Sequence, residues 1–204
     1  MVAGVLRVDG LTECGHSGSA SGVVPSSFRI ARQLLDRIED SATGELLLPE
    51  LYVEVPADRA AQATATAAGY PVVGHFPWAG ATQPVSADHT AQWLARTWQP
   101  TLSVTGVDGI PPAGRAGNVL RPYTSLKLSF RLPPTADPRR ALAAIRERLL
   151  SDPPHGASVQ LLDATAEPGW NAPAATKWLQ AALDEASDAV FGNESMAFGE
   201  GGSI

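Results

Sequence analysis

The chain has 204 residues, enough for one to two domains and for a core that needs no disulfide or metal staple. Fifteen lysines and arginines against 21 acidic residues give a formal charge of −6, and Lys127 and Lys177 are the only lysines. A mildly acidic chain without a basic run argues against nucleic acid and against an anionic membrane surface, because both need clustered cations. No stretch approaches the roughly 18 apolar residues of a membrane helix. Cys14 is the single cysteine, so no intrachain disulfide forms, no CxxC exists for structural zinc, and a reduced, cytoplasmic setting is expected. Met1 leads directly into VAGVLRVDGL, which reads as a strand and not as a leader. His16, His75, His89 and His155 are scattered, with no pair at HExxH spacing. The expectation is that this chain by itself holds no catalytic metal.

Residues 3–11 alternate apolar and polar, with Leu6 and Val8 on one side and Arg7 and Asp9 on the other, which predicts a half-buried strand. The Gly/Ser-rich run 14–25 is a loop. Residues 26–40 predict a helix with Phe28, Ala31, Leu34, Leu35 and Ile38 on one stripe and Ser26 or Ser27 capping its start. Across 41–100 the signal weakens. Residues 46–48 and 51–55 read as short extended pieces, 57–68 as an Ala-rich helix, and 69–84 as a loop with buried aromatics. Ser86 caps a short helix through Thr97 with Trp93 and Leu94 inward. This region reads as an insertion into a simpler fold.

Residues 101–107 alternate again, with Leu102 and Val104 inward, and a Pro/Gly loop covers 108–122. Residues 124–132 alternate strictly, placing Leu126, Leu128, Phe130 and Leu132 opposite Lys127, Ser129 and Arg131. Asp137 followed by Pro138 opens a helix with Leu142, Ile145 and Leu149 on its stripe, and 158–162 form a last strand. Residues 163–172 break the pattern. A final helix runs from about 173 to 191, with Trp178, Leu179, Ala182, Leu183, Ala186 and Val190 on one face, and stops at Gly192. Strand, helix, insertion, strand, strand, helix, strand, each strand with one apolar face, defines an α+β protein: an antiparallel split βαβ (ferredoxin-like) sheet with two helices on one face, followed by a helix–strand fragment. The boundaries are 1–165 for the main domain, with the insertion at about 41–100, and 166–204 for the remainder.

Few residues offer chemistry. His16, in ECGHSGSASG, is either a donor or acid at a site or an incidental loop histidine; the serine-hydrolase elbow GxSxG is absent, and Cys14 lies too close in sequence to His16 for an ordinary Cys–His dyad. Arg131 is either a carboxylate clamp, using its rigid fork of donors, or a solvated arginine on an open sheet. Asn118, in AGNVLRP, binds substrate or forms a turn. Glu200 to Ser203 forms an anion nest or a linker.

Taken in order, HSGSASGVVPSSFRIARQLLDRIED, AGNVLRP with SFRLPP, and EGGSI resemble the dinuclear zinc exopeptidase and amidohydrolase family, which includes carnosinase-type dipeptidases, acetylornithine deacetylase and succinyl-diaminopimelate desuccinylase. The likeness is to the family's lid, or dimerisation, domain together with the start of the returning catalytic domain. It implies a module cut from a two-zinc hydrolase that cleaves an amide in dipeptides or N-acyl amino acids, with the zinc ligands and the glutamate base outside this chain and the fragment inactive alone. It implies a homodimer formed through the lid, in which His16 reaches into the partner's site and donates a hydrogen bond to the scissile carbonyl oxygen. It further implies that Arg131 holds the substrate carboxylate, with Asn118 and Ser203 binding near the same end. The histidine that carnosinase-type relatives carry after the last lid strand is missing from 156–204, which argues against a carnosine-like specificity. The rival reading, from the open polar sheet face, is a ferredoxin-like regulatory or ligand-binding dimer module with no catalytic parent.

Overall fold

The computed structural model of the chain describes residues 1–200, and among these the side chains of all but Val73 and His75. In chain order its main elements are β1 (Val2–Asp9), α1 (Ser27–Leu35), α2 (Ala57–Gly69), α3 (His89–Thr97), β2 (Thr101–Asp108), β3 (Tyr123–Arg131), α4 (Pro138–Leu150), β4 (Ser158–Ala166) and α5 (Lys177–Phe191). They divide between two compact units. The first comprises Met1–Tyr52 and Pro100–Gly169; the second comprises Val53–Gln99 and the chain from Trp170 onward.

The first unit is built on one antiparallel sheet in the order β2-β3-β1-β4. Two βαβ units interleave in it: β1-α1-β2 is split by β3, and β3-α4-β4 is split by β1, which is the ferredoxin-like arrangement. Alternation along β1 sends Val2, Leu6 and Val8 into the core and leaves Arg7 and Asp9 on the other face. Leu126, Leu128 and Phe130 do the same from β3. Ile30, Ala31 and Leu34 of α1 and Ala141, Ile145 and Leu149 of α4 close over that one face. The opposite face carries Lys127, Ser129 and Arg131.

Several local expectations change. The first helix ends at Leu35, five residues early, yet Ile38 stays buried because its N–H bonds to the Leu35 carbonyl and its own carbonyl accepts from Leu47. Phe28 is 43% exposed, and Ile30 takes the buried position instead. Ser26 occupies the cap position without a side-chain bond. The Ser27 hydroxyl turns inward to Thr124 Oγ1 at 2.9 Å, a buried pair joining α1 to β3. Val104 is 46% exposed because β2 is an edge strand whose register shifts between Val104 and Gly106. The last strand runs on to Ala166, beyond the predicted break at 163, by placing Asp163 at φ 49 where the pairing with β1 slips. In α4 Ala141 joins Ile145 and Leu149 in full burial, and Leu142 is only half-buried.

The buried hydroxyl pair offers a clean test. Replacing Thr124 by valine removes one partner and leaves Ser27 Oγ dry and unpaired, an expected loss of about 1–3 kcal/mol in urea unfolding. The double change S27A/T124V is expected to recover much of that loss, since two apolar groups need no partner.

In the second unit α2 and α3 enclose a small core of Ala63, Ala67, Val72 and Trp93. Asp88, not Ser86, caps α3, accepting from the N–H groups of Thr90 and Ala91. The aromatics predicted to be buried in 69–84 are not: Tyr70, Phe76 and Trp78 are 40–51% exposed, and the interior is filled by Val72 and Trp93. The Trp93 indole N–H donates to the Tyr70 carbonyl at 3.0 Å, and Phe198 packs on both rings. The segment around Phe198 is further held by Thr66 Oγ1 donating to the Ala197 carbonyl and by Arg96 to Glu200 at 2.5 Å. Helix α5 begins at Lys177 and ends, as predicted, with Gly192 in the left-handed region at φ 69. Its apolar face is uncovered: no α5 residue is buried, and Trp178, Val190 and Phe191 are each more than 70% exposed. No helix among the described residues is long and apolar enough to cross a membrane.

Candidate functional site

The loop leaving β1 is tied back to the approach of β3. The N–H groups of Gly10 and Leu11 both donate to the Pro122 carbonyl, at 2.9 and 3.2 Å. A two-residue antiparallel ladder then pairs Gly15 with Leu120 and His16 with Val119. The Ser17 N–H donates to the Asn118 carbonyl at 2.9 Å. His16 and Asn118, a hundred residues apart in sequence, are thereby brought side by side.

His16 is exposed and caps a one-turn helix, Ser17–Ala20. Its Nδ1 accepts a hydrogen bond from the Gly18 N–H at 3.1 Å. A neutral imidazole that accepts at Nδ1 carries its proton on Nε2, so the free edge of the ring is a donor. The pattern His-Ser-Gly has a steric reason as well: a Cβ on Gly18 would stand 3.1 Å from both Nδ1 and Cε1 of the ring. Ser19 Oγ donates to the His16 carbonyl and steadies the same turn.

Arg131 stands elsewhere. It ends β3, exposed on the open face and opposite Thr101. Tyr123, at the other end of β3, adjoins the His16 ladder, and the eight residue steps between them span about 26 Å. One copy of the chain therefore does not bring Arg131 to His16 and Asn118. Ser203 lies outside the described residues.

Two features escaped sequence reading. Arg7 makes a forked bond to Asp9 (Nη2 to Oδ1 2.8 Å, Nε to Oδ2 3.0 Å) and lies 4.0 Å over the Tyr123 ring, and the bond to Asp9 raises its already high pKa. Alternation placed Arg7 and Asp9 on one strand face, which was the available signal. The second is a cavity of about 300 Å3 lined by Arg121. No spacing rule points to it. Among the described residues no group of three His, Cys, Asp or Glu side chains is gathered to hold a metal ion.

The architecture and the His16 turn place the chain in a class. The family model for the peptidase dimerisation domain (M20_dimer) matches residues 3–157, and the chain belongs to that family. Its fold is similar to that of the di-peptidase Dug1p from Saccharomyces cerevisiae, with 20% identity and a TM-score of 0.69 over 100% of this chain and 43% of that one. It is similar to human carnosine dipeptidase 1, with 19% identity and a TM-score of 0.75 over 100% and 44%. It is also similar to the M20 family metallo-carboxypeptidase Sso-CP2 from Sulfolobus solfataricus, with 16% identity and a TM-score of 0.71 over 99% and 45%. At these identities the likeness is one of fold. The chain spans less than half the length of each of these proteins. No curated protein sequence matches it.

Proposed function

We propose that this chain is the lid and dimerisation module of a cytoplasmic two-zinc metallohydrolase that cleaves an amide bond in dipeptides or N-acyl amino acids. The zinc ions and the base belong to residues outside the chain, and the chain alone is expected to be inactive. In this reading two copies associate through the lid, and His16 of one copy donates its Nε2–H to the substrate carbonyl oxygen in the other copy's site. Arg131, with Ser203, binds the substrate carboxylate from the copy that owns the site, and Asn118, expected near that same end, is assigned to the His16 side because it shares the His16 ladder.

The observation carrying this reading is the division of the polar residues between the two ends of β3. His16 has its Nδ1 occupied and its Nε2 free, beside Asn118 and the Tyr123 end of β3, and Arg131 is at the opposite end of that strand, about 26 Å from Tyr123. A dipeptide spans about 7 Å, so no single substrate touches both ends of one chain. Two copies related by a two-fold axis each lend His16 to the other's site, so that each of the two sites receives both groups. We further propose that residues 1–165, apart from the insertion, form the lid, and that 166–204 belong with the catalytic domain. The exposed apolar face of α5 supports this, since such a face calls for a covering layer. Of the insertion expected at about 41–100, Val53–Gln99 forms one unit with the chain from Trp170 onward, which supports placing that part on the catalytic side, while 41–52 belong to the sheet unit.

The test is a hybrid dimer of the full-length protein. H16A and R131Q are each expected to be nearly inactive alone. Co-expressed, they form heterodimers with one site carrying both defects and one carrying neither, so these heterodimers recover about half of wild-type turnover. Absence of any recovery would show that both residues serve their own chain and would overturn the proposal.

A further inference from the structure

The cavity of about 300 Å3 opens directly beside the ladder that carries His16. Cys14 and Arg121, the neighbours of the paired Gly15 and Leu120, form part of its wall, and Gly109, Ile110, Pro111, Pro122 and Tyr123 complete it.

This wall is fixed in advance. Pro122 is held through its carbonyl by two N–H groups, from Gly10 and Leu11. Gly109 sits at φ 86, and a Cβ there would fall 2.4 Å from the Tyr123 carbonyl oxygen, so the turn after β2 rests on Tyr123 in a way only glycine permits. The Tyr123 ring lies under Arg7, 4.0 Å from its guanidinium, and Arg7 is itself engaged by Asp9. A ligand entering such a site spends little free energy on ordering the protein.

The charges in the region are unequally satisfied. Arg7 has its carboxylate. Arg121 is half-buried, and among the described residues it forms no ion pair and no side-chain hydrogen bond. Its guanidinium presents a planar fork of donors matched to the two oxygens of a carboxylate.

We propose that Arg121 and this cavity form a binding site for a compact carboxylate, with Arg121 taking the charge and Tyr123 and Ile110 covering the apolar body of the ligand. The depression is shallow and open to solvent, and its volume of about 300 Å3, at the low end for small-molecule sites, suits an amino-acid-sized acid. The site is distinct from Arg131, which lies at the far end of β3. Binding by this chain stands apart from the hydrolase reading; that the acid is a further carboxylate of the hydrolase's substrate, other than the one assigned to Arg131, rests on it.

The experiment titrates the 15N-labelled chain with N-acetyl-L-alanine and, separately, with N-acetyl-L-alaninamide, which has the same body without the charge. The acid is expected to give saturable amide shifts at Gly109, Ile110, Arg121 and Tyr123, and the amide to bind about tenfold more weakly or worse. R121Q is expected to lose about tenfold in affinity for the acid, while R139Q, which alters an exposed arginine in the first turn of α4, binds as the wild type does. The acid–amide comparison needs no variant, so it decides the matter even where R121Q unfolds. Equal binding of acid and amide, undiminished binding by R121Q, equal loss in R139Q, shifts centred on Arg131, or no saturable shift would each overturn the proposal. These outcomes are read on the isolated chain and leave the hybrid-dimer result untouched, so the two proposals fail separately.

Discussion

Replacing Phe130 by alanine is expected to remove about 3–5 kcal/mol of stability from the sheet unit. Phe130 is 1% exposed and lies on a central strand, opposite Val2 of β1 on one side and Leu102 of β2 on the other. Its ring belongs to the core that α1 and α4 cover, so truncation leaves a void lined by strands and helices that cannot all collapse into it. Domains of this kind have about 5–15 kcal/mol in total, so the loss is a large fraction of what holds the unit together. Phe28→Ala is the matching control: at 43% exposure its truncation is expected to change stability by about 0.5 kcal/mol. Urea unfolding followed by far-ultraviolet circular dichroism measures both. A Phe130→Ala loss no larger than that of the control would mean that the sheet–helix interface is not centred where the structure places it.

His16→Ala in the full-length protein is expected to lower kcat by about 100- to 1,000-fold, the effect of removing one preorganised donor from a developing oxyanion. The reason lies in the turn that holds the ring. With Nδ1 committed to the Gly18 N–H, the donor at Nε2 is set before substrate arrives and needs no rearrangement during the reaction. Because the contact strengthens as charge builds on the oxygen, KM is expected to move little, and the metal content of the enzyme not at all. Steady-state kinetics with a panel of dipeptides and N-acyl amino acids, together with metal analysis, provide the check. Turnover equal to wild type would reject the role assigned to His16.

The ferredoxin-like frame was legible because each piece of it follows from a local rule. Strict alternation in β3 sets Leu126, Leu128 and Phe130 on one face, and Asp137 with Pro138 starts α4, its carboxylate accepting from the N–H groups of Arg139 and Arg140. Gly192 ends α5 for an equally local reason. What alternation does not encode is position within the sheet. Val104 reads as inward because its neighbours alternate, but at a bulged edge the same pattern leaves it in water. The aromatics around Phe76 read as buried because they are apolar, and burial depends on what stands opposite them.

The candidate site divides in the same manner. His16, Asn118 and Arg131 stand out through motifs, but that His16 and Asn118 share a ladder while Arg131 lies a strand's length away is tertiary information. The tautomer of His16 follows from one hydrogen bond to Gly18 that residue spacing alone does not specify. Arg121 was passed over because an arginine without a carboxylate is recognisable only when its surroundings are in place.

The strand order also bears on how the protein is made. β1 is translated before either of its neighbours: Asp9 pairs with Tyr123 on one side and with Ser158 on the other. On the ribosome the first strand waits, both edges open, while the whole intervening segment emerges. Closing loops of that length consumes chain entropy before any ladder bond repays it, which slows folding relative to helical domains of equal size. During that wait β1 is the segment most open to mispairing with other nascent chains, so in synthesis the central strand of the finished sheet is its most vulnerable part.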